Sequence, residues 1–294
     1  MPLIISLPKE NRSIELEEFI ALIEDNKLNL NDREDLINSA QYLNLLNNNK
    51  RFLISHLVDE LSNGAGFQKS NVHNSSVFHL HHSTDYLLRA VIWHPVSDAL
   101  KANKNFNYDV YHDHNFDLLT IGYFGPGYKT RSFTYNENEV IGFLGEDVKM
   151  EDNGILTLAE GQIMLYESKK DIHNQIPPDS ISVSLNIIPK KNIINRPQYE
   201  FDESKSKICR YIQISSNELV VRLASMLGQE NDIPILERVM LGNDNPHIQA
   251  YAALSIAKIC STSNNEIEKW VNNSKNSLIM DIFKREKLEY GSCI

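Results

Sequence analysis

The spacing of apolar residues changes from helical to alternating and back to helical along the chain. Between residues 13 and 62, Leu16, Phe19, Ile20, Leu22 and Ile23 recur at helical intervals. Ser13 precedes them, and Glu15, Glu17 and Glu18 give the acidic first turn that complements a helix N-terminus. A second helix is predicted over 31–46, capped by Asp32 or Asn31. A third is predicted over 50–61, stopped at Asn63-Gly64-Ala65-Gly66. At Ser75 the texture becomes short and rich in β-branched and aromatic residues, which predicts strands at 77–82, 86–93, 118–124, 129–135, 155–158, 163–166 and 181–188. Gly125-Pro126-Gly127, Asn153-Gly154 and Ile176-Pro177-Pro178-Asp179 punctuate them as turns. In the last strand Ile181, Val183, Leu185 and Ile187 alternate with Ser182, Ser184 and Asn186, giving it one apolar face. Strands at this spacing imply an antiparallel sandwich or barrel.

From about Asp202 the helical period returns. A predicted helix over 232–241 is followed by a Gly-Asn-Asp-Asn-Pro turn and a second helix over 247–259. Pro246 suits the first turn of that helix, and Ala250, Ala252, Ala253 and Ala257 permit close helix–helix approach. This helix–turn–helix unit resembles a HEAT-like repeat. The expected division is an N-terminal helical segment over 1–66, a β-barrel metal domain over 67–200 and a HEAT-like helical region over 201–294.

Composition narrows the function classes. With 294 residues the chain is long enough for one large core or for two to three modules. A formal charge of −10 with scattered basic residues, Lys190-Lys191 and Lys284-Arg285 being the notable doublets, argues against nucleic-acid binding. Cys209, Cys260 and Cys293 are too few and too far apart for a disulfide framework or a paired-cysteine zinc site, which fits a reducing cytoplasm. Neither a signal segment nor a membrane-length apolar run is expected, and Cys293 does not sit in a prenylation box.

The histidines carry the candidate chemistry. His112 and His114 flank Asp113 on a predicted strand, where residues two apart share a face. His173 follows a glycine turn at Gly161 and the apolar strand ending at Tyr166. Three neutral imidazoles converging on one metal ion would leave open coordination positions, as catalysis needs. Asp117 is the alternative fourth ligand, although a regular strand would turn it away unless a bulge intervenes at Asn115. Asp113, Asp117 and Asp171 also suit hydrogen bonds to the outer ring nitrogens. His79 and His81 form a second such pair and compete as ligands or as pocket-lining groups, while His73, His94 and His247 are expected in structural or surface roles.

Residues 75–190 resemble the cupin superfamily. The resemblance rests on His112-Asp113-His114, then Gly161 to His173. The fold it implies is α+β: a double-stranded β-helix, or jelly-roll barrel, flanked by helices. Within cupins the order Tyr86 to Pro95, His112-Asp113-His114, Asp171-Ile172-His173 and Ile181 to Leu185 is similar to the thiol dioxygenases, which implies Fe(II), O2 and three histidine ligands. Leu118 stands where many cupins carry a glutamate, a feature those dioxygenases share. Their substrate-carboxylate arginine has no counterpart on the strand Val77-Phe-His79-Leu-His81-His82.

If the odd positions of Lys129 to Tyr135 face inward, Arg131 offers a cation for a substrate carboxylate and Tyr135 an acid or hydrogen-bond donor; if the even ones do, Thr130, Ser132 and Thr134 line the cavity. Arg131, Tyr135 and His81 are therefore the candidate catalytic residues. The expected function is a non-haem iron(II) oxygenase or dioxygenase for a small polar substrate, such as one derived from an amino acid, with O2. The alternatives are a 2-oxoglutarate-type oxygenase, a non-redox cupin isomerase, and a ligand-binding scaffold. No nucleic-acid or membrane partner is expected, and the helical C-terminus is the expected surface for a homo-oligomer or a protein partner.

Overall fold

The computed structural model describes residues 1–62, 64, 67–68, 71, 76–95, 108–190, 197–204, 206–243, 245–260, 265–274 and 276–291. His73, Lys191, Cys293 and most of the glycine-rich stop at 63–66 lie outside them. The chain forms two compact units, Met1–Tyr135 with Lys149–Asn192, and Asn136–Val148 with Ile193–Ile294. These cut the chain elsewhere than the division expected at 66/67 and 200/201.

The first unit begins with a short strand, β1 (Leu3–Ile5), and the helices α1 (Leu16–Asp25), α2 (Arg33–Asn38), α3 (Ala40–Asn48) and α4 (Phe52–Ser62). Asp32 caps α2, its Oδ1 accepting from the Glu34 N–H at 2.9 Å and the Asp35 N–H at 3.3 Å. The single helix expected over 31–46 is divided at Ser39, whose hydroxyl donates to the Leu36 carbonyl at 2.7 Å and so competes with regular helix bonding.

Six strands of this unit form one antiparallel sheet in the order β1, β8 (Ile163–Tyr166), β5 (Leu118–Phe124), β10 (Ser182–Pro189), β3 (Tyr86–Trp93) and β2 (Val77–His82). On one face Leu88, Ala90, Leu119, Ile121, Leu185 and Ile187 are sealed from water and join Phe19, Leu36, Leu43 and Leu46 of the helices in a single core. On the other face Thr120, Ser182, Ser184 and Asn186 are buried too. These polar groups answer one another: Thr120 Oγ1 donates to Asn186 Oδ1 at 2.6 Å, and Trp93 Nε1 donates to Ser184 Oγ at 3.0 Å. The alternation along β10 thus separates a helix-packed apolar face from a polar interior, not from solvent.

A second antiparallel layer of this unit covers that interior, with β4 (Tyr111–His112), β9 (Asp171–His173), β6 (Lys129–Thr134) and β7 (Glu151–Thr157) in that order. The β5–β6 turn uses Gly127 at φ +81°, where a Cβ would also run into the Leu158 carbonyl. Thr130 and Ser132 are fully buried on the inner side of β6. The strand expected to carry His112-Asp113-His114 is only two residues long, so Asp113 and His114 lie in irregular backbone beyond it.

In the second unit, β11 (Gln198–Asp202) and β12 (Lys207–Gln213) form an antiparallel hairpin, where the sequence reading placed the return to helix from about 202. Tyr199 and Phe201 alternate with polar neighbours and are buried, a two-residue period that outweighs the polar composition. Helices α5 (Ser216–Leu227), α6 (Ile233–Gly242), α7 (Pro246–Ile259), α8 (Asn265–Asn273) and α9 (Ser277–Gly291) follow. The other four pack around α7, whose Ile248, Ala250, Ala252 and Ala253 are wholly buried. Asn245 caps it by accepting from the His247 N–H at 2.9 Å, with Pro246 in the first turn. Among the described residues no helix is long and apolar enough to cross a membrane.

Candidate metal centre

Register brings the three histidines together. His112 of β4 pairs directly with His173 of β9, and His173 pairs on its other side with Ser132 of β6. His114 reaches the same point from the irregular segment that follows β4. That segment is clamped by the turn between β8 and β9: the Lys169 N–H donates to the His114 carbonyl at 2.9 Å, and the Ser168 N–H donates to Asp117 Oδ1 at 2.7 Å. The turn holds Lys169 in the left-handed region at φ +56°, a conformation that costs a non-glycine residue about 1 kcal/mol or more.

One ligand atom from each of His112, His114 and His173 lies within 4.8 Å of the others, and all three side chains are buried. The ring centroids of His112 stand 5.0 Å from His114 and 4.7 Å from His173. His114 Nε2 and His173 Nε2 oppose each other at 3.0 Å. Two nitrogens bound to one ion at about 2.1 Å and near a right angle would stand about 3 Å apart, so this pair fits a shared ion. His112 Nδ1 lies 2.9 Å from the Val110 carbonyl and donates to it, which leaves Nε2 as its ligand atom. Burial, followed by the neighbouring His112, His173 and Arg89, holds His114 well below the usual histidine range. Burial and His112 do the same for His173. Both rings are therefore in the neutral form that binds metals.

Asp113, between the two histidines, is sealed from water and accepts from Lys169 Nζ and the Tyr135 hydroxyl, each at 2.7 Å. The buried Lys169 cation thus neutralises Asp113 beside the imidazoles. Tyr135 is placed at this ion pair. Asp117, the alternative fourth ligand, takes the Ser168 N–H, and the metal-competent cluster among the described residues is the three histidines.

Arg131 and His81 are not brought to this cluster. Even positions of β6 face inward, so Arg131 points outward and pairs with Asp152 at 2.8 Å, its guanidinium over the Phe133 ring. His81 lies across from Leu88 on the helix-covered face of the first sheet, its ring 5.4 Å from that of Tyr86. His79 pairs with Arg89, and burial, then Arg89, lowers its pKa.

The sequence reading missed Arg89. It alternates with the core residues Leu88 and Ala90 on β3 and pairs with Asn186 of β10, so it projects into the polar interior. Burial pulls its pKa down to about 10, and its Nε is shut off from solvent with no hydrogen-bond partner among the described residues. The available signal was one charge inside the apolar run Tyr86-Leu-Leu-Arg-Ala-Val-Ile-Trp93. Tyr166 sits against the His173 ring at 4.2 Å, and Tyr128 lies against Trp93 at 4.4 Å. Burial pushes the Tyr166 phenol up to about 12 and holds that of Tyr128 well above its usual value, so both remain protonated. With Asp113 matched by Lys169, the neutral His114 and His173 rings, the protonated phenols and the Arg89 cation make an environment that favours an anion.

No family model and no curated protein matches the sequence. Among solved structures the chain is similar to hydroquinone 1,2-dioxygenase PnpCD, crystallised with Cd2+ and 4-hydroxybenzonitrile, at 12% identity over 42% of this chain and 69% of that one, with a TM-score of 0.27. It is similar to a structure of the DMSP lyases RdDddP and RnDddQII at 13% identity over 41% of this chain and 49% of that one, with a TM-score of 0.25. It is also similar to Momordica charantia 7S globulin at 16% identity over 57% of this chain and 46% of that one, with a TM-score of 0.23. The chain spans about half the length of the last two.

Proposed function

We propose that this chain is a cupin-type metalloenzyme, a non-haem iron(II) oxygenase that acts on a small anionic substrate such as an amino-acid-derived carboxylate. The observation that carries this reading is the convergence of His112, His114 and His173 within 4.8 Å inside a polar-lined pair of antiparallel layers. Three neutral nitrogen donors without a thiolate or carboxylate suit a divalent transition metal and leave its charge undiminished. Bound there, iron(II) would supply redox chemistry toward O2 and a Lewis-acidic position for a substrate heteroatom.

The remaining work falls to the chain. Arg89 would anchor the substrate carboxylate by charge-assisted hydrogen bonds, which are strong where water is excluded. The Tyr128 and Tyr166 hydroxyls would donate to polar atoms of the substrate. The Asp113–Lys169–Tyr135 cluster would hold His112 and His114 in their ligand geometry. Aromatic walls from Trp93, Tyr128 and Tyr166 would keep water from the reacting atoms.

The test is elemental analysis of untagged protein beside His112→Ala, followed by oxygen-electrode assays of amino acids and thiol carboxylates. About one iron per chain, lost in the variant, with substrate-dependent O2 uptake, is the expected result. Bound metal with substrate turnover but no O2 uptake would replace the oxygenase with a non-redox reaction at the same site. No metal after anaerobic loading with iron(II) would overturn the metalloenzyme.

A further inference from the structure

Helix α5 of the second unit packs through one side and turns its apolar side outward. One side is packed: Val221 is buried, its carbonyl accepts from the Ser255 hydroxyl of α7 at 2.7 Å, and Arg222 lies over the Tyr251 ring at 3.9 Å. The opposite side is open, with Leu219 53%, Val220 65%, Leu223 53%, Met226 66% and Leu227 71% exposed. A contiguous apolar face left open in this way marks an interaction surface.

We propose that this face is the two-fold contact between two copies of the chain. Three properties of the face select a second copy. First, the pattern is a palindrome. Val220 and Met226 lie three residues either side of Leu223, and Leu219 and Leu227 lie four either side. An antiparallel two-fold through Leu223 therefore maps Leu219 onto Leu227 and Val220 onto Met226 of the partner, the self-complementarity an isologous contact requires. Leu219, Leu223 and Leu227 form a single ridge of residues four apart, the kind that interdigitates with its own copy in the commonest helix packing.

Second, the face is electrically silent. The fully exposed positions of α5 are Ser216, Asn217 and the five apolar residues, none of them ionisable. A chain of formal charge −10 resists self-association through like charge, and this neutral face avoids that penalty. The five apolar positions themselves offer no charge to an anionic membrane or a charged peptide.

Third, the area suffices. Five large side chains open over more than half of their surfaces amount to about 500 Å² per copy, or about 1,000 Å² across a symmetric pair, the size at which specific contacts begin.

Sedimentation equilibrium on the full chain at concentrations up to about 100 µM tests the pairing. Wild type is expected to sediment at twice the chain mass, and Leu223→Glu at half of that. Because Leu223 is exposed, the variant should keep the Tm that wild type shows when diluted to monomer, which separates lost pairing from lost folding. Leu223→Cys tests the symmetry, because the substituted side chains meet on the axis. It should give a disulfide-linked pair under mild oxidation that wild type, with its own cysteines, does not. A wild-type monomer at the highest concentration would overturn the proposal. So would a pair that Leu223→Glu leaves intact, or a Leu223→Cys chain that does not cross-link. A monomer that floats with neutral phospholipid vesicles would assign the face to a membrane surface instead.

Discussion

Lys169 Nζ lies 2.7 Å from Asp113 Oδ2, and both side chains are closed to water. Each charge compensates the other there. Removing one partner of such a pair leaves an uncompensated buried charge, which costs about 3–5 kcal/mol, whereas removing both can be nearly neutral. Lys169→Met should therefore lower the unfolding free energy of the first unit by that amount and release metal from the neighbouring histidines. Lys169→Met with Asp113→Asn should recover most of the loss. Denaturant unfolding and metal content of the three variants check this. A double variant no better than the single one would show that the pair does not act as a unit.

Arg89 sets function against stability. Burial lowers its pKa to about 10, and its Nε finds no hydrogen-bond partner among the described residues. An unsatisfied buried polar group costs about 1–3 kcal/mol, more when charged. Arg89→Met should therefore raise Tm and keep the bound metal while raising KM for an anionic substrate at least tenfold. Thermal unfolding, elemental analysis and steady-state kinetics read the three effects separately. A variant with lower Tm and unchanged KM would remove Arg89 from the substrate pocket.

His173 is central because it is paired on both sides, with His112 and with Ser132. His173→Ala should lose the metal and retain its circular dichroism spectrum, since the rest of β9 stays in register. A ligand that binds only the folded state stabilises it by RT ln(1 + [L]/Kd). Saturating metal should thus raise the Tm of wild type and leave that of His173→Ala unmoved. Equal shifts in both proteins would place the metal elsewhere.

The histidine cluster was legible in the sequence because its elements are local: two ring donors two residues apart, a glycine turn at Gly161, a short strand and a third ring. The groups around it were not. Hydrophobic patterning locates an interior only when that interior is apolar, and here Thr120, Thr130, Ser132, Ser184 and Asn186 line it. The inward direction of β6 was therefore undecidable, and Arg131 was as plausible inside as Ser132. Arg89 lay in a strand that reads as core, where one polar position among apolar ones signals the second face. The hairpin at β11 and β12 was hidden by charged residues at its exposed positions, although Tyr199 and Phe201 already carried the period. The helices succeeded where caps agreed with periodicity, as at Asp32 and Asn245.

The second unit should have a pH dependence of its own, centred on Glu218. This carboxyl is buried, accepts from Arg222 Nη2 at 2.7 Å, and shares its surroundings with Tyr251, whose hydroxyl donates to Glu286 Oε1 at 2.8 Å. Burial raises its pKa above the ordinary 4.5, and the Arg222 cation offsets only part of that shift. The folded state consequently binds a proton more tightly than the unfolded one. The linkage sign follows: stability is greatest below about pH 4.5, falls as pH rises from there to the raised folded value, and is flat above it. Glu218→Gln keeps the acceptor for Arg222 and removes the proton. The difference in helical Tm between variant and wild type should therefore grow with pH across that window, in favour of the variant. Circular dichroism melts from about pH 4 to 8 measure it. A constant difference would mean that Glu218 binds its proton equally in the folded and unfolded states, with Arg222 balancing its burial.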